Sequence, residues 1–187
     1  MSEVRAFIAI PLPGDVKAGL MDARHALKTT YGRSARWVGP ENLHLTLKFL
    51  GNTPEEQLAS LEEGMSRSVA GTGSFTLCLD RLGAFPSVAR PRVFWAGLGG
   101  ELDRLESLYS ALEKELVKRG VAPDRRRFAA HITIGRVREG ASVAALPGIE
   151  LQRLGFTAKE VVLFRSTLKP GGPLYTPLTV STIGGIV

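Results

Sequence analysis

One four-residue pattern occurs twice in this chain, as His44-Leu45-Thr46-Leu47 and as His131-Ile132-Thr133-Ile134. Each copy places a histidine and a threonine two positions apart, with aliphatic residues between and after them. Side chains in a β-strand alternate between its two faces. Each copy therefore predicts a strand with an imidazole and a hydroxyl on one face and apolar side chains on the other, and the fold must accommodate both strands.

The polar faces of two such strands, placed across a cleft, would surround a small ligand with two proton-transfer groups and two hydroxyl donors. Hydrolysis of a phosphodiester at neutral pH needs this set, because a base activates the attacking oxygen, an acid protonates the leaving oxygen, and donors stabilise the other oxygens. Histidine titrates near neutral pH, so His44 and His131 are the candidate acid and base. Thr46 and Thr133 are the candidate phosphate-binding residues. The residues alone do not assign one histidine to each role.

A metal site is the main chemical alternative for two histidines. Zinc usually takes three or four ligands from cysteine, histidine and carboxylates. The sequence contains no H-E-x-x-H or H-x-H pattern, and Cys78 is its one cysteine. We therefore expect no metal. A histidine satisfied by the backbone inside the protein would explain one copy of the motif, but it explains the repeated pattern less well.

Charge and length narrow the class of protein. The net charge of +6 at pH 7 favours a polyanionic partner, for which nucleic acid is the natural candidate, although a solvated arginine-rich surface would give the same charge. The 187 residues suit a single domain, 1–187, and no apolar run is long enough to cross a bilayer. We therefore expect a cytoplasmic monomer without membrane attachment.

Strand and helix signals alternate along the rest of the chain. Periodicity and turn residues predict strands over 6–10, 36–38, 43–50, 75–82, 92–98, 156–168 and 175–183, besides the strand that begins near His131. Helices are predicted after Gly14, over 53–70 from a capping box at Thr53, and over 102–120. The two motifs lie about half the chain apart, and each follows a helix and a loop. This arrangement suggests two related lobes with facing motif strands.

The motifs and their surroundings resemble the two-histidine (2H) phosphoesterase superfamily, and within it the LigT-like RNA 2′,3′-cyclic phosphodiesterases, formerly called 2′-5′ RNA ligases. The similar segments are RAFIAIPLP, RWVGPENLHLTLKFLGNT, FPSVARPRVFWAGL, RFAAHITIGR and LFRSTLKPGGPLYTPL. The resemblance implies an α+β, bilobal and pseudo-symmetric fold, in which two antiparallel sheets line a central cleft with helices outside. Such relatives often carry proline before the second histidine, where this chain has Ala130.

The resemblance also implies roles for the motif residues. His44 would donate a proton to the departing ribose 3′ oxygen, His131 would activate water, and Thr46 and Thr133 would hold the phosphate oxygens. The product would carry a 2′-phosphomonoester. Because the five-membered cyclic phosphate is strained, we expect its hydrolysis to need neither a metal nor another cofactor.

Whether Arg136 and Lys48 reach the cleft depends on how regular their strands are. Arg136 has the opposite parity to His131, so it would reach the cleft only through a bulge or a strand end. The resemblance places an arginine near the substrate at this point, and a surface salt bridge is the alternative. Lys48 shares the parity of His44. We interpret it as a solvated lysine at the strand end, with added positive potential in the cleft as the alternative.

Three functions fit the sequence. The first is hydrolysis of a 2′,3′-cyclic phosphate, carried by the end of an RNA or by a small cyclic nucleotide. The second is the ligation of tRNA half-molecules through a 2′-5′ bond in the same site. The third is a non-enzymatic module that binds RNA ends or nucleotides. All four motif residues are present, which favours the first function over the third.

Overall fold

The computed structural model describes residues 2–184, and within them nine strands and three α-helices form an α+β fold. The strands are β1 (Glu3–Pro11), β2 (Ala35–Trp37), β3 (His44–Pro54), β4 (Phe75–Ser87), β5 (Arg90–Gly100), β6 (His131–Val137), β7 (Gly155–Ala158), β8 (Glu160–Lys169) and β9 (Gly172–Thr182). The helices are α1 (Gly14–Tyr31), α2 (Leu58–Ala70) and α3 (Leu102–Val117). Short 3₁₀ turns cover Gly32–Ser34, Pro40–Asn42 and Glu55–Gln57.

The strands form two antiparallel sheets, and each sheet carries one copy of the motif. The four-stranded sheet has the order β3-β1-β8-β9, with the first motif on its edge strand. The five-stranded sheet has the order β2-β6-β5-β4-β7, with the second motif on the strand next to its edge. Although they belong to different sheets, β3 and β6 contact each other. The predicted fold class is thereby confirmed.

Alternation along the motif strands separates the core from the polar face. Leu45 and Ile132 are completely buried in the hydrophobic core, whereas the histidines and threonines beside them are half-buried. The helices contribute apolar stripes to the same core, as the line of buried leucines along α3 shows. No helix within residues 2–184 has both the length and the apolar character needed to span a membrane.

The helix predicted from Thr53 begins later, because strand pairing continues through this segment. β3 extends to Pro54, which pairs with Glu3 of β1. The Thr53 side chain is buried and donates its hydroxyl hydrogen to the Gly51 carbonyl instead of capping a helix. After one 3₁₀ turn, α2 begins at Leu58. The long-range pairing of β1 with β3 therefore overrides the local capping signal.

The single strand predicted over 156–168 is two strands that belong to different sheets. β7 pairs with β4 in the five-stranded sheet, whereas β8 pairs with β1 and β9 in the four-stranded sheet. Lys159 lies between them, at the point where the chain crosses from one sheet to the other. The apolar pattern hardly changes across this residue, because both strands face the same core.

Candidate active site

A β-bulge follows the histidine–threonine pair in the first motif strand. Thr46 lies opposite Ala9 of β1, but Lys48 lies opposite Ile8, so Leu47 is an extra residue in β3. A bulge of this kind reverses the facing of the residues that directly follow it. Phe49 therefore lies on the face of His44 and Thr46, where its side chain is 66% exposed.

The second motif strand has a bulge at the matching position. Thr133 lies opposite Trp95 of β5 and Gly135 lies opposite Phe94, so Ile134 is the extra residue. Arg136 consequently shares the face of His131 and Thr133. In a regular strand Arg136 would face away from the cleft, but the bulge turns it towards the cleft. Arg136 lines the same cavity as Thr133.

The interpretation of Lys48 as a solvated lysine is wrong, and so is the alternative that it adds charge to the cleft. The bulge at Leu47 turns Lys48 towards the protein interior, where only 2% of it is exposed. Its ammonium nitrogen lies 2.6 Å from Glu113 Oε1 and 3.0 Å from Asp124 Oδ1. A lysine is buried to this degree only when its charge is paired.

The polar faces of the two motif strands line two adjoining cavities. The first has a volume of about 430 Å³, and its walls include His44, Thr46, Thr133, Arg136 and Tyr175. The second has a volume of about 420 Å³, and it contains His131 together with the exposed arginines of the 125–127 loop. Thr46 and Phe49 belong to the walls of both cavities. All four motif residues, and Arg136, are therefore brought to one cleft.

Each histidine is oriented by the carbonyl group two residues before it. His44 Nδ1 lies 2.7 Å from the Asn42 oxygen, and His131 Nδ1 lies 2.7 Å from the Ala129 oxygen. Because a carbonyl oxygen only accepts hydrogen bonds, Nδ1 must carry the hydrogen in both rings. This leaves Nε2 of each ring to accept or donate a proton in the cleft. β6 begins at His131, directly after Ala130.

Aromatic side chains pack against both imidazole rings. His44 packs against Phe7 at 4.9 Å between ring centroids and against the edge of Tyr175 at 5.3 Å. His131 packs against Phe85 at 5.1 Å and against Trp95 at 6.5 Å. These contacts restrict the rotation of the rings, so both histidines are held in place before any ligand binds.

The electrostatics of the first cavity favour an anion. Burial lowers the pKa of His44, the hydrogen bond to Asn42 opposes this shift, and the positive charge of Lys17 lowers the pKa further. Burial raises the pKa of Tyr175 against the opposing charges of Arg136 and Arg5, so its hydroxyl is protonated at neutral pH. An anion bound beside the two arginines would favour the protonated form of His44.

Sequence reasoning missed several residues of this cleft, among them Phe49 and Tyr175. In a regular strand Phe49 would lie on the core face, and the Leu47 bulge that reverses its facing has no glycine or other marker in the sequence. Tyr175 reaches the site from β9, which is not part of either motif. Among residues 2–184, no three histidine, cysteine, aspartate or glutamate side chains are grouped so that they could hold a metal ion.

Comparison with known proteins identifies the family of this chain. A family described as LigT like Phosphoesterase matches residues 10–95 and 100–175, which together make up most of the chain. The chain therefore belongs to the LigT-like phosphoesterase family. Two curated relatives named RNA 2′,3′-cyclic phosphodiesterase are 35% identical over 177 residues (Thermotoga maritima) and 36% identical over 183 residues (Archaeoglobus fulgidus). The alignments cover 94% and 95% of this chain, and 93% and 99% of the relatives.

Solved structures share the fold over almost the whole chain. A Thermus thermophilus crystal structure superposes with a TM-score of 0.85 at 32% identity, and the match covers 97% of this chain and 98% of the other. The crystal structure of Escherichia coli LigT complexed with 3′-AMP gives a TM-score of 0.77 at 26% identity, covering 98% of this chain and 100% of LigT. The expected family and fold are both confirmed.

Proposed function

We propose that this chain hydrolyses the 2′,3′-cyclic phosphate at the end of an RNA and leaves a 2′-phosphomonoester. The observation that carries the proposal is the pair of equally oriented imidazoles, each held through Nδ1 and each offering Nε2 to one cleft. The names of the relatives supply the substrate class. A small cyclic nucleotide presents the same reacting group, so it would serve as a minimal substrate.

In the proposed reaction a water molecule attacks phosphorus, and the bond from phosphorus to the ribose 3′ oxygen breaks. His131 takes a proton from the water, and protonated His44 gives a proton to the 3′ oxygen as it leaves. The hydroxyls of Thr46 and Thr133 donate hydrogen bonds to the non-bridging oxygens, where negative charge accumulates. Each proton is transferred by a group of this chain, so the chemistry needs no metal.

Arg136 would bind the substrate in this scheme. It lies on the same strand face as His131 and Thr133 and lines the first cavity with His44. Its guanidinium group can donate two parallel hydrogen bonds to a phosphate. We also propose that the chain acts as a single domain of two related lobes, because both motif strands share the same bulge and the same orientation of their histidines.

The decisive test is incubation with an RNA that ends in a 2′,3′-cyclic phosphate, in the presence of a metal chelator. The expected result is complete conversion to a 2′-phosphomonoester, identified by chromatography against both monoester standards. An RNA that already ends in a 2′-phosphate is the control and should remain unchanged. No conversion, or a 3′-phosphate product, would contradict the proposal. Loss of activity only when chelator is present would contradict the metal-free mechanism.

The pH dependence of kcat/KM follows from the lowered pKa of His44. If His44 is the acid, its protonated form is the active one, and burial, which lowers the pKa of His44, reduces the share of this form in the free enzyme at neutral pH. We therefore expect a bell-shaped profile whose ascending and descending limbs both belong to the histidine pair. In kcat the descending limb should move to higher pH, because the bound phosphate stabilises the imidazolium.

The measurement is the rate on a cyclic mononucleotide between pH 4 and pH 9, a range that covers the usual titration of histidine. A descending limb at the same pH in kcat and kcat/KM would contradict the expected stabilisation of the imidazolium by the bound phosphate. A monotonic profile would contradict two-histidine catalysis.

A further inference from the structure

The buried side chain of Lys48 connects the first motif strand to the loop that carries the second histidine. Lys48 follows the motif directly, and its ammonium group donates a hydrogen bond of 3.0 Å to the carbonyl oxygen of Ala122. The same group pairs with Glu113 on α3 and with Asp124 in the loop after α3. One lysine on β3 therefore fixes both the end of α3 and the 122–124 segment.

Contacts continue from this lysine to the catalytic cleft. The Tyr109 hydroxyl donates a hydrogen bond of 3.1 Å to Asp124 Oδ2, and the Asp124 amide donates one of 3.1 Å to Glu113 Oε2. The Tyr109 ring stacks on Phe128 with 4.2 Å between centroids. Burial, the hydrogen bond to Asp124 and the charges of Glu113 and Asp124 raise the pKa of Tyr109, so the hydroxyl keeps its hydrogen.

The last contact in this series reaches the second histidine. Phe128 precedes Ala129, and the Ala129 carbonyl accepts the hydrogen bond from His131 Nδ1. Tyr109, Asp124, Phe128 and Ala129 also form one wall of the second cavity, which contains His131. The position of this carbonyl, and with it the tautomer of His131, therefore depends on a loop that Lys48 holds in place.

We propose that Lys48 is a positioning residue, which acts through Asp124, Tyr109 and Phe128 to orient His131. The inference about catalysis rests on the proposed function, whereas the effect on the imidazole does not require any substrate. A lysine with a purely structural role would contribute to the free energy of unfolding and would leave the tautomer of His131 and the pH profile unchanged. These two readouts distinguish positioning from simple stabilisation.

The test compares Lys48→Met with Arg119→Met. Arg119 is also largely buried and pairs with Glu115 of α3 at 2.7 Å, but none of its ion-pair or hydrogen-bond partners within residues 2–184 belongs to the 122–130 loop. In Lys48→Met we expect kcat on a cyclic mononucleotide to fall by about tenfold to 100-fold with little change in KM, as for other residues that orient reacting groups. Arg119→Met should keep the wild-type kcat although it is destabilised.

Nitrogen NMR of the imidazole rings gives a readout without substrate. In the wild type, His131 should exist as the Nδ1–H tautomer, and in Lys48→Met it should become a mixture of both tautomers. His44 serves as the internal reference, because its partner is the Asn42 carbonyl on the other side of the cleft. The His44 signals should be the same in both proteins. If the wild type lacks cyclic phosphodiesterase activity, the proposed function is contradicted. A tautomer shift of His131 in Lys48→Met would still support the positioning role of Lys48.

Wild-type kcat together with wild-type His131 signals in folded Lys48→Met would overturn the proposal. Equal losses of kcat in Lys48→Met and Arg119→Met would overturn it as well. If Lys48→Met does not fold, Tyr109→Phe decides the question, because this variant keeps the stacked ring and removes only the hydroxyl bonded to Asp124. It should shift the His131 signals and lower kcat in the same direction, and unchanged values would refute the role of Lys48.

Discussion

Replacing His131 with alanine is expected to lower kcat/KM on a 2′,3′-cyclic phosphate by about 10² to 10⁴-fold, the usual contribution of a general acid or base. The same loss is expected for His44→Ala. Each substitution removes the single Nε2 atom that its strand presents to the cleft. The double variant should be hardly slower than the worse single variant, because groups that act as one unit lose their effect together. Single-turnover rates on a cyclic mononucleotide would measure all three losses.

His25 supplies the matched control. It is the third histidine of the chain, and it is exposed on α1 outside either motif. His25→Ala should retain full activity and full stability. The free energy of unfolding of the two motif variants should fall by only about 1 kcal/mol, since each loses one hydrogen bond to a carbonyl. Near-complete activity in either motif variant would refute the acid–base assignment.

Truncation of Ile132 is expected to have the opposite effect: a large loss in the free energy of unfolding with little change in the catalytic rate. Ile132 lies between the histidine and the threonine of the second motif, and it is 0% exposed. Ile132→Ala removes buried methyl and methylene groups and leaves a cavity, so the free energy of unfolding should fall by about 2 to 5 kcal/mol. The rate per folded molecule should stay close to that of the wild type. Denaturant unfolding, with activity measured below the transition, separates the two quantities.

Ile132→Val is the graded control for this prediction. It removes one methylene group and keeps the branched shape, so the expected loss is about 0.5 to 1.5 kcal/mol. A loss in Ile132→Ala no larger than that in Ile132→Val would mean that the apolar face of the motif is not part of a tightly packed core. Loss of activity without loss of stability would place Ile132 in the site instead of the core.

The local alternation of the motif strands was predictable from the sequence, because apolar and polar residues interchange there without interruption. That alternation correctly placed Leu45 and Ile132 in the core, and the two histidines line adjoining cavities that share Thr46 and Phe49. The sequence also predicted that Arg136 would need a bulge or a strand end to reach the cleft, and the structure has a bulge there. These features depend on residues that are neighbours along one strand.

Features that depend on pairing between distant strands were not predictable. The first extra residue in β3 is Leu47, an ordinary aliphatic residue whose place is set by its partner strand β1. The bulge at this residue turns Lys48 away from the face that its parity predicted, and it turns Phe49 towards the cleft. The division of 156–168 into β7 and β8 has the same origin, because the choice of sheet is made by β4 and β1.

The matching bulges also make the two halves of the cleft chemically unlike. Five positions after each histidine the same backbone geometry presents Phe49 in one half and Arg136 in the other. An aromatic ring and a guanidinium group favour different parts of a bound molecule. The proposed substrate has a flat base at one end and a charged phosphate at the other, so these two side chains would favour one direction of binding. In the proposed reaction, this difference would distinguish the surroundings of the two imidazoles.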